Sequence, residues 1–338
     1  MTGTLTRWCQ IPYLTKRLAT HITTLAVALV ITSCATRFNH PPRVKHQPKL
    51  AKTHYTSYDG DRFGYKKWPA KKDTPKTIII GIHGISGHAG DFENLSTHLS
   101  KHNPQTSLYA PETRGQGMDE KKHRRGDIRK ASEWHKDLYT FTRLVRAAHP
   151  KARIVWFGES MGSLIALHAY GNPPHGAKRP DGLILCSPIV GVSNKIPAWK
   201  STSLRIAAFA LPKYKVSLEN LSGVHNAQVT KDDIHSEQAA KNPWYIRRYT
   251  LRLLVTLGDM VESLPEQAAK VQCPTLILHG GKDIFTDPKN VQNFSKHFAL
   301  PAKTKRHFYP KSYHLLMYDH KREVIFNDVS RWLRSLNK

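Results

Sequence analysis

The chain has 338 residues, of which 52 are Lys or Arg and 25 are Asp or Glu, so its formal charge is +27. Hydrophobic residues make up 39% of it, which excludes a disordered basic tail. Its length and its four cysteines exclude a small domain held by disulfides. The charge predicts an anionic partner, such as nucleic acid, an anionic lipid surface or an acidic polymer, and does not specify a fold.

The N-terminus has the pattern of a targeting segment. Residues 1–33 carry three basic residues and no acidic one, and they include an apolar run over 25–31. This run is shorter than the roughly 20 residues that cross a bilayer, and it has the proportions of a signal peptide. Small residues precede Cys34, as in the bacterial lipoprotein signal that this segment resembles. We expect an envelope lipoprotein anchored to the membrane through Cys34; a secretory signal and an uncleaved anchor are the alternatives.

Residues 34–53 predict a tether between this signal and the folded domain. They contain five basic residues, three prolines and no acidic residue, a composition typical of an extended, solvated linker. Near anionic headgroups, each basic side chain adds about 1 kcal/mol of attraction. A lipid and a basic segment together form a two-signal membrane anchor.

Residues 54–338 alternate between short apolar runs and helical patterns. The predicted strands are residues 77–83, 107–110, 153–158, 182–187, 275–280 and 304–309, and the predicted helices are residues 132–149, 161–171, 288–298 and 321–336. This alternation predicts an α/β fold with a mostly parallel central sheet flanked by helices. A long, mostly helical insertion at about 190–270 predicts a cap. Cys186 and Cys273 fall at opposite ends of two predicted strands, so we expect no disulfide.

The nucleophile is predicted within the sequence Gly-Glu-Ser-Met-Gly at 158–162. This segment joins a predicted strand to a predicted helix, which is the setting of a nucleophile elbow. The glycines at both ends are needed because the serine occupies a strained, tight turn. Ser160 is therefore the candidate nucleophile, and a helix N-cap serine is the alternative.

A serine nucleophile needs a base and an orienting carboxylate, and in this setting they follow in the order Ser, acid, His. Asp283 lies in the loop after the predicted strand 275–280. His314 lies in the loop before the final helix. Asp287 is the rival acid, but it precedes Pro288 at a predicted helix start and is better suited to an N-cap.

Two backbone N–H groups complete the predicted site by forming an oxyanion hole. One belongs to Met161, the residue after the nucleophile. The other is predicted at Ile85, in the loop after the strand 77–83, where Gly84 allows a close approach of the backbone. This mechanism requires neither a metal nor an organic cofactor.

The ordered motifs resemble the monoglyceride lipase and lysophospholipase branch of the α/β-hydrolase superfamily, also called serine aminopeptidase-like. The segments that carry the resemblance are HGISGHAGDFENL, YAPETRGQGMDEKKHRRGDI, GESMG, LILHGGKD and YHLLMYD. It implies the same catalytic residues and oxyanion hole, a matching His88, and an acyl-binding cap segment at 229–246. Departures occur at residues 86–87, 159 and 242–244, where relatives often have Gly-Glu, His and Asp-Pro-Leu.

We therefore expect a serine carboxylic-ester hydrolase that acts on a lipid ester, monoacylglycerol or lysophospholipid, through an acyl-enzyme. A peptidase or amidase is one alternative, since the family description permits it. A non-catalytic envelope protein that retains the fold is the other.

The cap and the basic residues predict where the substrate binds. Residues 203–212 and 244–261 combine apolar positions at helical spacing with arginines, which predicts an acyl tunnel with basic groups at its mouth; packing against the body is the alternative. The densest basic run, residues 121–125, suits an exposed loop facing anionic lipid or envelope polymer. No nucleic-acid-binding motif accompanies it, and no obligate protein partner is indicated.

Overall fold

The structure is a computed structural model that describes residues 46–72, 74–191, 198–217, 228–231 and 241–336. The predicted signal peptide, Cys34 and most of the predicted tether lie outside the described residues, as do parts of the cap. Residues from His46 onward form one compact unit. Across the described ranges, no helix is long and apolar enough to cross a membrane.

A central sheet organises this unit. The described strands are β1 (Lys49–Leu50), β2 (His54–Thr56), β3 (Arg62–Trp68), β4 (Thr77–Ile82), β5 (Thr106–Pro111), β6 (Arg153–Glu159), β7 (Gly182–Cys186), β8 (Lys215–Val216), β9 (Tyr249–Thr250), β10 (Thr275–Gly280) and β11 (Thr304–Tyr309). The described part of the main sheet has the order β1-β2-β3-β5-β4-β6-β7-β10-β11. Within this sheet, β5, β4, β6, β7, β10 and β11 are neighbours in that order, and each neighbouring pair is parallel. This confirms the predicted mostly parallel sheet.

Helices cover both faces of this sheet. The described α-helices are α1 (Glu93–His102), α2 (Ala131–Ala148), α3 (Met161–Gly171), α4 (Ala198–Ala210), α5 (Leu251–Glu262), α6 (Leu264–Ala268), α7 (Pro288–Ser295) and α8 (Arg322–Ser335). Since successive strand residues face opposite sides, Trp156 packs in the core beneath α2 and α3, whereas Phe157 packs beneath α1 and α8. Burial on both faces explains why β4 and β6 read as continuous apolar runs.

The N-terminal edge of the sheet was not predicted. β1, β2 and β3 form antiparallel pairs, and β3 carries charged, partly exposed residues, so its sequence lacks an apolar run. The predicted tether ran to residue 53, but the chain already joins the sheet at β1. Leu50 packs against the core there, and the Tyr65 hydroxyl donates to the Ala51 carbonyl at 2.6 Å. Helix α1 was also absent from the predicted elements.

The described part of the cap consists of α4, α5, α6 and the antiparallel pair of β8 and β9. Helix α5 begins only at Leu251, later than the predicted amphipathic segment that starts at residue 244. Thr250 ends the preceding strand and caps the helix, because its side chain accepts from the Leu253 N–H at 3.3 Å. Outside the cap, Cys186 and Cys273 are buried free thiols.

The basic run at residues 121–125 makes contacts within the chain. Lys121 and Arg124 form ion pairs with Asp61. Arg124 also pairs with Asp119 at 2.5 Å, and Arg125 donates to the Asp119 carbonyl at 2.9 Å. These pairs neutralise part of the run that the sequence marks as a basic patch.

Candidate active site

Ser160 lies at a sharp turn between β6 and α3. Its φ of 52° and ψ of −116° are a strained conformation for a residue with a side chain. A Cβ at Gly158 would lie 2.3 Å from the Gly162 carbonyl oxygen, and a Cβ at Gly162 would lie 1.9 Å from the Ile82 carbonyl oxygen. Neither position accepts a side chain, as the elbow motif predicts.

The structure brings the three predicted catalytic side chains together in one hydrogen-bonded chain. Nε2 of His314 lies 2.9 Å from Oγ of Ser160, and Nδ1 of His314 lies 2.8 Å from Oδ2 of Asp283. The second carboxylate oxygen of Asp283 accepts from the Phe285 N–H at 2.9 Å. All three side chains are buried, with exposed fractions of 4% for Ser160, 7% for Asp283 and 3% for His314.

The surroundings of Asp283 favour its ionised form. Burial disfavours the charge, but His314, the Phe285 N–H and the nearby His279 outweigh burial, so the pKa of Asp283 lies below its ordinary value. An ionised carboxylate hydrogen-bonded to a histidine orients the ring and favours a positive charge on it.

The two predicted oxyanion donors lie beside Ser160: Met161 is the first residue of α3, and Ile85 lies in the loop after β4. A Cβ at Gly84 would lie 3.3 Å from Cβ of Ser160, so the loop after β4 passes beside Ser160. Within the described part of the chain, the N–H groups of Ile85 and Met161 have no hydrogen-bond partner. Unpartnered donors at this point are available to a substrate oxygen.

Two other residues singled out in the sequence have structural roles here. Asp287 caps α7, since its side chain accepts from the Lys289 N–H at 2.7 Å, which confirms the N-cap interpretation. His88 caps the short 3₁₀ turn Ala89–Phe92, with Nδ1 accepting from the Gly90 N–H at 3.0 Å.

Two neighbours of the site were not predicted from the sequence. The Ser187 hydroxyl donates to the His314 carbonyl at 2.5 Å and so holds the backbone of that histidine. His279 is fully buried, with Nδ1 3.8 Å from Oδ2 of Asp283. Ser187 directly follows β7, and no sequence motif distinguishes it. His279 lies within LILHGGKD, but its side-chain direction becomes evident only when β10 is placed in the sheet.

The cap contacts the loop that carries His314. The Leu315 N–H, directly after His314, donates to the Val229 carbonyl at 3.0 Å. Two arginines from the predicted amphipathic segments 203–212 and 244–261 form ion pairs within the chain. Arg252 pairs with the buried Asp127, and Arg205 pairs with Asp259 at 2.5 Å.

No metal centre is evident in the described ranges, where no group of three His, Cys, Asp or Glu side chains is arranged to hold an ion. The chemistry available at the site is that of a nucleophile, a base, a carboxylate and backbone donors. This set suits acyl transfer.

Comparison with protein families identifies the group to which this arrangement belongs. The model of the serine aminopeptidase S33 family matches residues 73–321. The chain belongs to this family. It is 24% identical over 286 residues to the monoacylglycerol lipase of Mycolicibacterium smegmatis, covering 83% of this chain and 96% of that protein. It is 25% identical over 264 residues to the phospholipase YtpA of Bacillus subtilis, covering 77% of this chain and 95% of that protein.

The fold of this family member is the α/β-hydrolase fold. A soluble variant of the monoglyceride lipase from Saccharomyces cerevisiae, solved with a substrate analogue, superposes with a TM-score of 0.71 at 20% identity. The match covers 88% of this chain and 98% of that structure. Its relatives and structural neighbours include lipases and esterases, and the protein is a hydrolase.

Glu159, directly before Ser160, is a buried acid outside the chain of hydrogen bonds that joins Ser160, His314 and Asp283. Its side chain is 2% exposed, and its Oε1 atom has no hydrogen-bond partner among the described residues. Burial and the neighbouring Asp91 raise the pKa of Glu159 to about 8. At neutral pH this carboxyl is therefore mostly protonated.

We expect Glu159 to make the stability of the fold fall as the pH rises. The folded state binds the Glu159 proton more tightly than the unfolded chain does, so the loss begins near the ordinary pKa of 4.5 and is complete above about 8. Glu159→Gln removes the charge in both states. Urea unfolding from about pH 5 to pH 9 checks this: the free energy of unfolding of wild type should decline relative to that of the variant by on the order of a few kcal/mol. Parallel curves for the two proteins would contradict the prediction.

Proposed function

We propose that this protein is a serine carboxylic-ester hydrolase that cleaves lipid esters, monoacylglycerol or lysophospholipid, through an acyl-enzyme intermediate. The observation that carries the proposal is the hydrogen-bonded chain from Ser160 through His314 to Asp283, with distances of 2.9 Å and 2.8 Å. A neutral serine hydroxyl becomes a useful nucleophile when such a base takes its proton.

The reaction has two stages. Ser160 Oγ attacks the ester carbonyl carbon while His314 Nε2 takes the hydroxyl proton, and the N–H groups of Ile85 and Met161 donate to the resulting oxyanion. When this intermediate collapses, the bond to the leaving alcohol breaks and His314 returns the proton to that alcohol. A water molecule then attacks the acyl group with His314 again as the base, which releases the fatty acid and restores Ser160.

The lipid substrate class is supported by named relatives and by the cap. Named relatives include a monoacylglycerol lipase and a phospholipase, and the described helices of the cap carry many apolar residues. A peptidase or amidase is a second candidate, because the description of the matched family is serine aminopeptidase. Both candidates use the same acyl-enzyme chemistry and differ in the bond that is cleaved.

Replacing Ser160 with Ala should abolish activity. We expect kcat to fall by at least about 10³-fold, because the attacking atom is lost, and labelling by a fluorophosphonate probe to disappear. Ser335→Ala, which changes an exposed serine on α8, is the matched control and should retain both. Rates on an ester and an amide with the same acyl group decide between the candidates, and faster amide cleavage would overturn the lipid-esterase proposal. An unlabelled wild type would favour a non-catalytic role.

We also propose that the mature protein is a bacterial envelope lipoprotein, attached through lipid on Cys34. The support is the order of basic residues, apolar run and small residues before Cys34 in the sequence. The mass of the mature N-terminal peptide tests it: a diacylglycerol-modified Cys34 is expected, and cleavage at another site without lipid would refute it.

The cap carries the surface best suited to a membrane. Along and after α4, Ile206 is 65% exposed, Phe209 92%, Leu211 61% and Tyr214 57%. Exposed apolar patches of this kind mark interaction surfaces. Lys213 lies among these residues, and Arg248 donates to the Lys215 carbonyl beside them. The mixture of aromatic, aliphatic and basic groups complements an anionic bilayer surface, and we propose such a surface as the occupant.

Removing two of these apolar side chains should weaken membrane binding. For the chain purified without a lipid modification, we expect the double substitution Phe209→Ser and Leu211→Ser to reduce binding to phosphatidylglycerol vesicles about tenfold, because their apolar area no longer inserts. Val324→Ser alters a side chain on α8 that is 52% exposed and is the control. Co-sedimentation measures the binding. Equal binding by the double variant and wild type would contradict the assignment of this face.

A further inference from the structure

Three residues other than glycine have a left-handed backbone within the described ranges, and all three are serines near the candidate active site. Their φ angles are 59° at Ser86, 52° at Ser160 and 46° at Ser187. A side chain makes this conformation costly, so it persists where surrounding contacts hold it. Ser160 carries the nucleophile and Ser187 holds the backbone of His314. Ser86 has no part in the mechanism described above.

Ser86 occupies the third position of the tight turn that presents the N–H of Ile85. The turn runs from Gly84 to Gly87, and the Gly87 N–H closes it by donating to the Gly84 carbonyl at 3.1 Å. A positive φ at the third position is characteristic of a type II turn, in which glycine is the usual residue. With serine at this position, the turn needs stabilisation from outside.

The cap supplies that stabilisation. The Ser86 hydroxyl donates to the Ile246 carbonyl at 2.9 Å. The Tyr249 hydroxyl donates to the same carbonyl at 2.8 Å and contacts the Ser86 hydroxyl directly. Tyr249 is 2% exposed and Ser86 is half-buried. From the body of the protein, the Gln116 side chain accepts from the Ser86 N–H at 3.2 Å.

We propose that Ser86 is a positioning residue that couples the closed cap to the oxyanion hole, an inference that rests on the proposed function. With the cap closed, Ile246 and Tyr249 hold the Ser86 side chain and thereby the left-handed turn. When this part of the cap moves away, the hydroxyl loses both partners and the turn relaxes. The peptide between Gly84 and Ile85 then shifts relative to Ser160, and acylation slows.

Two substitutions at Ser86 separate the strain from the hydroxyl. Ser86→Ala retains a side chain at the strained position but lacks the hydroxyl that the cap holds, so the turn should relax. Fluorophosphonate labelling and kcat on a p-nitrophenyl ester should then fall about tenfold, while KM changes less than about twofold. Ser86→Gly removes the strain as well, and because glycine adopts this turn unaided, labelling should return to within about threefold of the wild-type rate.

A third substitution tests the link to the cap. Tyr249→Phe should slow labelling in the Ser86 background and leave it unchanged in the Ser86→Gly background, where the turn no longer depends on the cap. Tyr139→Phe is the matched control, because this tyrosine lies on α2, outside the cap, and its buried hydroxyl has no hydrogen-bond partner among the described residues. It should alter labelling in neither background.

Two results would overturn the proposal: wild-type labelling by Ser86→Ala, or equal slowing by Tyr249→Phe in both backgrounds. Circular dichroism confirms that each variant is folded before its rate is compared. A wild type that is never labelled refutes the proposed function instead.

Thermal unfolding of wild type, Ser86→Ala, Tyr249→Phe and the double variant then tests the contact, since additive shifts in Tm would show that the two residues are not coupled.

Discussion

The strained backbone at Ser160 constrains how the neighbouring strands, and the loops at their carboxyl ends, are arranged. The turn is so tight that Gly162 lies against the Ile82 carbonyl, and this contact requires β4 to lie directly beside β6. Because β4, β6, β7, β10 and β11 are parallel, the loops at their carboxyl ends all open at one edge of the sheet. These loops carry Ile85, Ser160, Ser187, Asp283 and His314 in that order. The sheet thus sets the distances between the side chains of Ser160, His314 and Asp283 on which the proposed proton transfer depends.

Some of the basic residues of the chain are paired with acidic residues inside the fold. Arg114 is 5% exposed and pairs with Asp137 at 2.6 Å, and Arg252 pairs with Asp127. A buried ion pair adds little net stability, because removing the two charges from water costs about as much free energy as their attraction returns. The formal charge of +27 already counts the acidic partners of these pairs, so the pairs affect which basic groups stay exposed and leave the net charge unchanged. The exposed apolar residues of the cap indicate more specifically than the charge where the proposed lipid surface would bind.

The central strands, the elbow and the acid and base positions could be predicted because each has a local signal. β4 and β6 are apolar on both faces, and the glycines at 158 and 162 mark the turn. β3 was missed because its mixed, half-exposed residues have no such signal. Ser86 was noted only as a departure from the related sequences and Ser187 was not noted, because a serine does not reveal its φ angle, which tertiary contacts impose. Leu50 also shows the limit of composition, since it belongs to the sheet although its neighbours are typical of a linker.

The central claim is that Ser160, activated by His314 and Asp283, forms a covalent acyl-enzyme with a lipid ester. Acid quenching during turnover of a monoacylglycerol, followed by peptide mapping by mass spectrometry, tests it most directly. The account predicts an added acyl mass on the peptide that contains Ser160 and no such adduct in Ser160→Ala. Turnover of the same ester at the wild-type rate by Ser160→Ala, with no acyl adduct on either protein, would contradict it.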